Sequence, residues 1–456
     1  MKLIIVKLLL MVMILPAHAV DINPITSFKN VDAWIVESHQ LPFVTMDISL
    51  RAGSAFEGDK HGLANLTASL LTEGAGRYNA EKFQQELERM GSKITASADK
   101  LNINVQATML TENIEQTLSL LTQVIISPRF DESAVERIKQ AIISGLKQGE
   151  ESPAFKLDRA FDKAIYGEHV YAHPVAGYVD SVEKLTQQDI RDYHQQNFTR
   201  ANMKISVVGD INPAHLAKIF DKQFLAIPVG EKRNKLTSVP QQPLSATLRV
   251  EMDIPQSHIK TGHEGISRHD KDYFAAYVMN YILGGGGFNS RLMEEVRTKR
   301  GLAYSVYSYF DALPQQGAFV SSVQTKTKDE QHSLHLIRKE MEKMRSQLVS
   351  EEEYQGAINY LTGSFPLRID SNAKILGYLS IMQSEDLGRD YLKTWTSKIK
   401  AVTREDVQRV AQRLLHPERL VTVIAGKIPP TPPIKVKAET KGKKLNERSK
   451  LSKPTK

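Results

Sequence analysis

Two histidines four residues apart, in the stretch YGEHVYAHPVAGY, have a spacing that suggests metal chemistry. On a helix, His169 and His173 would share one face, and together with Glu168 they could bind zinc. Pro174 follows at once and Gly167 precedes them, so the stretch is more typical of a loop than of a helix. A zinc site here is therefore an alternative interpretation and not the preferred one.

Other kinds of catalytic chemistry have less support. The chain contains no cysteine, so it has neither a thiol nucleophile nor a disulfide. The run Gly284–Gly287 lacks the Lys-Ser/Thr pair of a phosphate-binding loop. No serine stands in a nucleophile-elbow motif. The sequence thus offers no complete catalytic set of a common type.

The stretch RAGSAFEGDKHGLANLTASLLTEGA, residues 51–75, resembles the metal-binding segment of the pitrilysin/insulysin family of inverted zinc peptidases. Active members carry H-x-x-E-H on a helix after Gly-Leu-Ala. The two histidines bind zinc from one helical face, the Glu between them activates the metal-bound water, and a distant Glu is the third ligand. The resemblance is to the processing-peptidase-like branch, and it extends over about residues 21–427.

The zinc-binding positions of the family are degenerate in this chain. Asn65 and Ser69 stand where the resemblance places the histidines, and Ala68 stands where it places the Glu base. Gly145 lies in the window of the third ligand. Ala and Gly offer no donor atoms, and Asn and Ser bind zinc poorly. We therefore predict no catalytic residue and no metal in this chain.

The second half of the chain keeps a different part of the family pattern. The stretch YILGGGGFNSRLMEEVRTKRGLAYSVYSYF, residues 281–310, resembles the segment in which an Arg and a Tyr seven residues apart bind the substrate near the scissile bond. Here they are Arg297 and Tyr304. A guanidinium and a phenol both donate hydrogen bonds and can hold a peptide carbonyl. The alternative is that Arg297 is one of several surface cations and Tyr304 one of several strand aromatics.

An internal repeat indicates how these segments are positioned. Residues 185–210 align without a gap on residues 402–427, and in each copy a Thr (Thr186, Thr403) precedes an amphipathic helix that leads to an apolar strand ending at Gly. Helices alternate with strand-like stretches such as FVTMDISL. These patterns predict an α+β fold with two homologous domains. The resemblance implies the mitochondrial-processing-peptidase-like fold, in which a mostly antiparallel sheet carries helices on one face.

The domain boundaries follow from the repeat and from composition. We predict a signal peptide at 1–19, an N-terminal domain at 20–235, a linker at 236–244, a C-terminal domain at 245–428 and a disordered basic tail at 429–456. Lys2 and Lys7 precede an apolar run that ends at a small-residue cleavage site, Ala17-His18-Ala19. We therefore expect a periplasmic protein that begins near Val20.

The net charge of +8 resides mainly in the tail, which has nine Lys or Arg and two Glu between residues 428 and 456. A near-neutral body without a basic groove argues against nucleic acid. The tail is expected to be a solvated terminus, and the alternative is an electrostatic arm for an anionic membrane surface or an acidic partner.

These observations lead to one preferred hypothesis. The chain would be the non-catalytic subunit of a heterodimeric periplasmic zinc peptidase, paired with an active H-x-x-E-H homologue that holds the zinc. It would contribute Arg297, Tyr304 and half of a peptide chamber. The resemblance further implies that substrate peptide adds as a strand beside Lys93–Asp99. The alternative is a stand-alone peptide-binding or scaffold protein without a role in cleavage.

Overall fold

The structure is a computed structural model that describes residues 20–25, 31–239 and 245–428. The predicted signal peptide, the predicted basic tail and part of the predicted linker lie outside the described residues.

The strands of the chain form two main sheets and one short ribbon. They are β1 (Asn23–Pro24), β2 (Asp32–Glu37), β3 (Phe43–Leu50), β4 (Gly74–Ala75), β5 (Tyr78–Asn79), β6 (Lys93–Ala98), β7 (Ile103–Leu110), β8 (Met203–Gly209), β9 (Thr247–Glu251), β10 (Ser257–Glu264), β11 (Ala303–Asp311), β12 (Ala318–Thr325) and β13 (Val421–Gly426).

The helices connect these strands within each half of the chain. They are α1 (Leu63–Leu70), α2 (Ala80–Arg89), α3 (Ile114–Ile126), α4 (Glu132–Gly149), α5 (Pro153–Tyr166), α6 (Val179–Lys184), α7 (Gln187–Asn197), α8 (Pro213–Gln223), α9 (Tyr273–Asn280), α10 (Glu330–Ser346), α11 (Glu351–Gly363), α12 (Asn372–Ser384), α13 (Tyr391–Lys400) and α14 (Arg404–Leu414). Two π-helical turns cover Tyr281–Gly285 and Met293–Thr298.

The two main sheets have the same topology. The first has the order β1-β2-β8-β3-β7-β6, and the second has the order β11-β12-β10-β13-β9. The β2–β8 and β9–β13 pairs are parallel, and the other neighbouring strands are antiparallel. With β1 set aside, each strand of one sheet has an equivalent in the other. The predicted fold class, two similar α+β units, is confirmed.

The repeat seen in the sequence forms the closing helix and strand of each half. Thr186 and Thr403 cap α7 and α14, and each hydroxyl accepts from the backbone N–H of an Asp three residues on, at 3.1 Å and 3.0 Å. Each Asp carboxylate in turn accepts from the backbone N–H of its Thr. These reciprocal capping boxes fix where the two helices begin. The strands β8 and β13 that follow are buried in their sheets.

Each sheet packs its own helices on one face and a single helix of the other half on its opposite face. On β3, Val44, Met46 and Ile48 face the core of the first half. The alternate residue Asp47 faces α12 of the second half and accepts a hydrogen bond from Ser380. This alternation follows from the two-residue period of a strand.

The exchange of helices is reciprocal. In the second sheet, Val423 of β13 packs against Leu157 and Phe161 of α5, which belongs to the first half. α5 and α12 hold equivalent places, since each is the third helix after the β7 or β12 strand. Among the described helices, none combines the length and apolar character needed to cross a lipid bilayer.

Candidate functional site

The helix that would carry the zinc motif begins on a buried carboxylate. Glu57 accepts hydrogen bonds from the backbone N–H groups of Gly62 and Ala64, both at 2.9 Å. These N–H groups have no partner within the helix, and a carboxylate also suits the positive end of the helix dipole. Gly62 has φ of +94°, and a Cβ there would lie 2.9 Å from the Ala176 carbonyl oxygen. The start of α1 is therefore fixed without any metal.

The degenerate positions on α1 form a polar but non-ligating face. Asn65 and Ser69 are half-buried one turn apart, and the Ser69 hydroxyl donates to the Asn65 carbonyl oxygen at 2.8 Å. Ala68 is buried. A hydroxyl already used by its own helix and an alanine methyl cannot hold zinc or act as a base. The residues of α1 do not fit the metal of active family members.

The position of the third ligand also carries no side chain that could bind a metal. Gly145 lies inside α4 with an exposed backbone, and a Cβ there would have no neighbour within 4 Å. Space for a side chain is present, but the donor atom is missing.

The alternative zinc site around His169 and His173 is not assembled in the structure. His169 is buried, with its Nε2 3.2 Å from the Thr237 carbonyl oxygen. His173 points its Nδ1 at the Tyr178 hydroxyl, 3.2 Å away, and the exposed Glu168 pairs with Lys163. The two imidazoles thus bond different partners, as expected for a loop. Over residues 20–25, 31–239 and 245–428, no group of three or more His, Cys, Asp or Glu side chains is placed to hold a metal ion.

A histidine pair beside α1 was missed by the sequence reasoning. The His61 ring stacks on the His173 ring with centroids 3.9 Å apart and an interplanar angle of 17°, and its Nδ1 lies 3.9 Å from a Glu57 oxygen. Burial raises the pKa of Glu57 to about 7, against the backbone hydrogen bonds that favour its ionised form. Burial, followed by the proximity of His61, lowers the pKa of His173. Nothing in the local sequence indicated this contact, because it joins segments more than a hundred residues apart.

Arg297 and Tyr304 are brought together by the turn that joins a π-helix to the edge strand β11. The Arg297 guanidinium carbon lies 4.7 Å from the centroid of the Tyr304 ring. It lies at the same distance from the Phe288 ring, a contact that the sequence reasoning missed. Tyr304 is 79% exposed and Phe288 68% exposed, although both are large aromatic side chains. The cation is thus held between two rings at the surface.

Arg297 differs from the neighbouring cations because they bond carboxylates and it bonds none among the described residues. Arg291 donates to both carboxylate oxygens of Glu353, from Nε at 2.6 Å and from Nη2 at 2.9 Å. Lys299 and Arg300 both bond Glu295, and these bonds lower its pKa to about 2. Within the part of the chain that the structure describes, Arg297 contacts no carboxylate. No described carboxylate therefore neutralises its charge.

The glycine run before Arg297 serves close packing. A Cβ on Gly284 would meet the backbone nitrogen of Ser308 on β11 at 2.6 Å, and it would also meet the Ser308 hydroxyl. Gly287 has φ of +58°, a conformation that favours glycine. These glycines let the π-helical segment approach β11, which sets the position of Arg297 against Tyr304.

The stretch predicted to receive a peptide lies at the rim of the first sheet. β6 is the last strand of that sheet and pairs only with β7 among the described strands. Its residues Thr95 and Ser97 are exposed. β11 is the equivalent edge of the second sheet and carries Tyr304. An edge strand offers free backbone donors and acceptors to an added strand.

Comparison with known proteins places both halves in one family. The description "Insulinase (Peptidase family M16)" matches residues 34–177, and "Peptidase M16 inactive domain" matches residues 184–361.

Individual relatives are similar over most of their length. A Helicobacter pylori protein named Non-peptidase homolog YmxG is 27% identical over 338 residues, covering 73% of this chain and 77% of that protein. A Bacillus subtilis protein named Uncharacterized zinc protease YmxG is 23% identical over 387 residues, covering 84% of this chain and 93% of that protein. The solved structure of a peptidase M16 inactive domain from Pseudomonas fluorescens has a TM-score of 0.86 and 28% identity, covering 91% of this chain and 99% of that one. The chain therefore belongs to the insulinase (M16) peptidase family, as a member whose first domain lacks the zinc-binding residues.

Proposed function

We propose that this chain is the non-catalytic subunit of a heterodimeric zinc peptidase. Its partner is a homologue with an intact H-x-x-E-H helix, which supplies the zinc and the general base. This chain supplies Arg297 and Tyr304 and one wall of the chamber that holds the substrate peptide.

The observation that carries the proposal is the contrast between the two halves. α1 presents Asn65, Ala68 and Ser69, none of which can hold zinc or move a proton for catalysis. The second half presents an arginine that bonds no carboxylate among the described residues and is held between two exposed aromatic rings. Exposing two large aromatic rings to water is unfavourable. Apart from the contact with Arg297, no described contact gives these rings a structural role. The Arg297–Tyr304 pair is suited to a ligand that accepts hydrogen bonds.

The chemistry of the pair is recognition of a peptide carbonyl. The guanidinium is always charged and has five N–H donors, and the Tyr304 phenol adds one O–H donor. Donors aimed at a carbonyl oxygen stabilise the negative charge that develops on it when its carbon is attacked. The peptide itself would extend the sheet at an edge such as β6.

The proposal also assigns a compartment. A chain with residues 1–19 as a cleaved signal would act in the periplasm. Fractionation of the native host, with N-terminal sequencing of the recovered protein, tests this directly. A mature terminus near Val20 in the periplasmic fraction supports the assignment, and recovery of uncleaved chain from the cytoplasm contradicts it.

Co-purification tests the heterodimer. We would tag the chain in its native host and identify the proteins that remain bound at moderate salt. The expected result is an H-x-x-E-H homologue in near-equal amount, with zinc in the complex. Recovery of the chain alone, inert toward peptides, would favour the alternative role as a stand-alone peptide-binding or scaffold protein.

Substitutions then test the Arg/Tyr pair in the reconstituted complex. Arg297→Lys keeps the charge but loses the forked donors, and Tyr304→Phe keeps the ring but loses the hydroxyl. Removing one such donor typically lowers kcat by about 10²-fold to 10³-fold. Arg300→Lys and Tyr307→Phe are matched controls on the same segments, and we expect them to retain activity within a few-fold. Equal effects of test and control variants would remove the support for a split active site.

A further inference from the structure

A cavity of about 320 Å³ lies in the second half, and neither Arg297 nor Tyr304 lines it. α9, β11, α12 and α13 enclose it. Seven of its lining residues are aromatic: Tyr273, Tyr277, Tyr309, Phe310, Tyr378, Tyr391 and Trp395. Its volume is at the lower end of the range for small-molecule sites. Ile381 also lines it and is 43% exposed, so the cavity reaches the surface at α12.

Two arginines line the same cavity, but only one of them is neutralised. Arg268 donates to Glu385 at 2.9 Å and to the Tyr273 hydroxyl at 2.7 Å. Arg368 donates to the Tyr277 hydroxyl at 3.2 Å. Within the described residues, Arg368 contacts no carboxylate. The lining therefore carries one net positive charge on a half-buried guanidinium.

Partial burial of the Arg368 guanidinium is unfavourable because its charge loses part of its hydration, and a bound anion would offset that loss. Two other shielded arginines of this half bond carboxylates: Arg249 bonds Glu330 at 2.6 Å and Arg291 bonds Glu353 at 2.6 Å. The fork of an arginine matches a carboxylate in two parallel hydrogen bonds. The phenols of Tyr277 and Tyr378, which bond Arg368, are neutral groups and do not neutralise its charge.

We propose that this cavity binds a small carboxylate that carries an aromatic group, with the carboxylate on Arg368 and the aromatic group among the lining rings. The aromatic side chains offer offset and edge-to-face contacts to a ring of this size. Burial raises the pKa values of Tyr273 and Tyr391, so their hydroxyls stay protonated and do not repel an anion.

This chemistry has two possible sources, a free aromatic acid or the C-terminal residue of a peptide. The proposal does not depend on the heterodimer, because every residue in it belongs to the second half of this chain.

Calorimetric titration of the full mature chain tests the site. The probe is 4-hydroxyphenylacetate, and its amide and tyramine are controls with the same ring and without the anion. We expect saturable binding of the acid and at least ten-fold weaker binding of both controls. In a Trp34→Phe background, where Trp395 is the remaining tryptophan, quenching of emission on titration would place the ligand at this cavity.

Variants keep the test specific. Arg368→Gln should weaken the acid at least ten-fold, and Arg368→Lys should weaken it less. Arg338→Gln is the matched control, because Arg338 is also half-buried, contacts no carboxylate among the described residues and lies outside the cavity lining. Ile381→Trp should obstruct the opening at an exposed position, which avoids a loss of folding. Binding that is unchanged in Arg368→Gln, or absent for wild type at millimolar acid, would overturn the proposal.

Peptides then distinguish the sources. Ala-Ala-Ala-Tyr with a free C-terminus should bind and compete with the acid if a peptide terminus is the natural ligand, while its C-terminal amide should not. If only the free acid binds, the site takes a small molecule. Equal binding of the peptide acid and the peptide amide would contradict the role of Arg368.

Discussion

A buried hydrogen bond between the two halves gives the sharpest test of the structure. Asp47 on β3 is 1% exposed, and its Oδ2 accepts from the Ser380 hydroxyl of α12 at 2.6 Å. Its other oxygen has no hydrogen-bond partner among the described residues. Ser380→Ala would therefore leave the carboxylate still less satisfied inside the interface.

The magnitude of that effect should depend on pH. Burial raises the pKa of Asp47. The native state then holds the proton more tightly than the unfolded state, so the free energy of unfolding falls as pH rises above the ordinary carboxyl value of about 3.9. A hydrogen bond to a charged group contributes about 1.5–3 kcal/mol, and one to a neutral group about 0.5–1.5 kcal/mol. Ser380→Ala should cost more at pH 8 than at pH 4.

The assay is urea unfolding at both pH values. Emission from the two tryptophans reports on unfolding: Trp34 lies on β2 of the first sheet, and both it and Trp395 pack in the hydrophobic cluster of the second half. In an Asp47→Asn background, the cost of Ser380→Ala should no longer depend on pH. The free energies of unfolding of the two single variants and the double variant should therefore not be additive. Ser397→Ala, which removes an exposed helix hydroxyl, should change stability by less than about 0.5 kcal/mol. The reasoning fails if Ser380→Ala costs the same at both pH values or no more than Ser397→Ala at pH 8.

Two further predictions concern backbone space and buried charge. Gly145→Ala should stabilise the chain by about 0.5–1 kcal/mol in thermal or urea unfolding, as should Gly356→Ala, because both glycines lie inside helices with no atom within 4 Å of an added Cβ. Gly284→Ala should instead cost about 1–3 kcal/mol, since its Cβ meets β11, and a neutral result would contradict the packing there. The raised pKa of Glu57, about 7, predicts that unfolding free energy falls between about pH 4.5 and 7 as the carboxyl ionises. Glu57→Gln should flatten that slope in unfolding curves measured across the range, and an unchanged slope would refute the assignment.

Features that depend on a few consecutive residues could be predicted from the sequence. The caps at Thr186 and Thr403 indicated two equivalent helices, because a capping box needs only four consecutive residues. The β6 edge and the Arg297–Tyr304 segment followed from a resemblance carried by continuous stretches of sequence. The roles assigned to Arg297 and Tyr304 remain predictions.

Features that depend on distant contacts could not be predicted from the sequence. Phe288 looked like an ordinary residue after a glycine run, and only the folded turn places its ring on Arg297. His61 stacks on His173 across more than a hundred residues of chain. α5 and α12 have apolar residues at helical spacing, which says that one face is buried but not which sheet covers it.

The exchange of α5 and α12 means that neither half carries its own complete covering. Separated at the linker, each sheet would expose the face on which the other half's helix now lies. The arrangement is the geometry of a domain-swapped pair whose two chains have been joined end to end. A symmetric ancestor made of two identical copies would bury the same faces with the same helices. In the present chain each half completes the burial of the other half's sheet, through α5 on one side and α12 on the other.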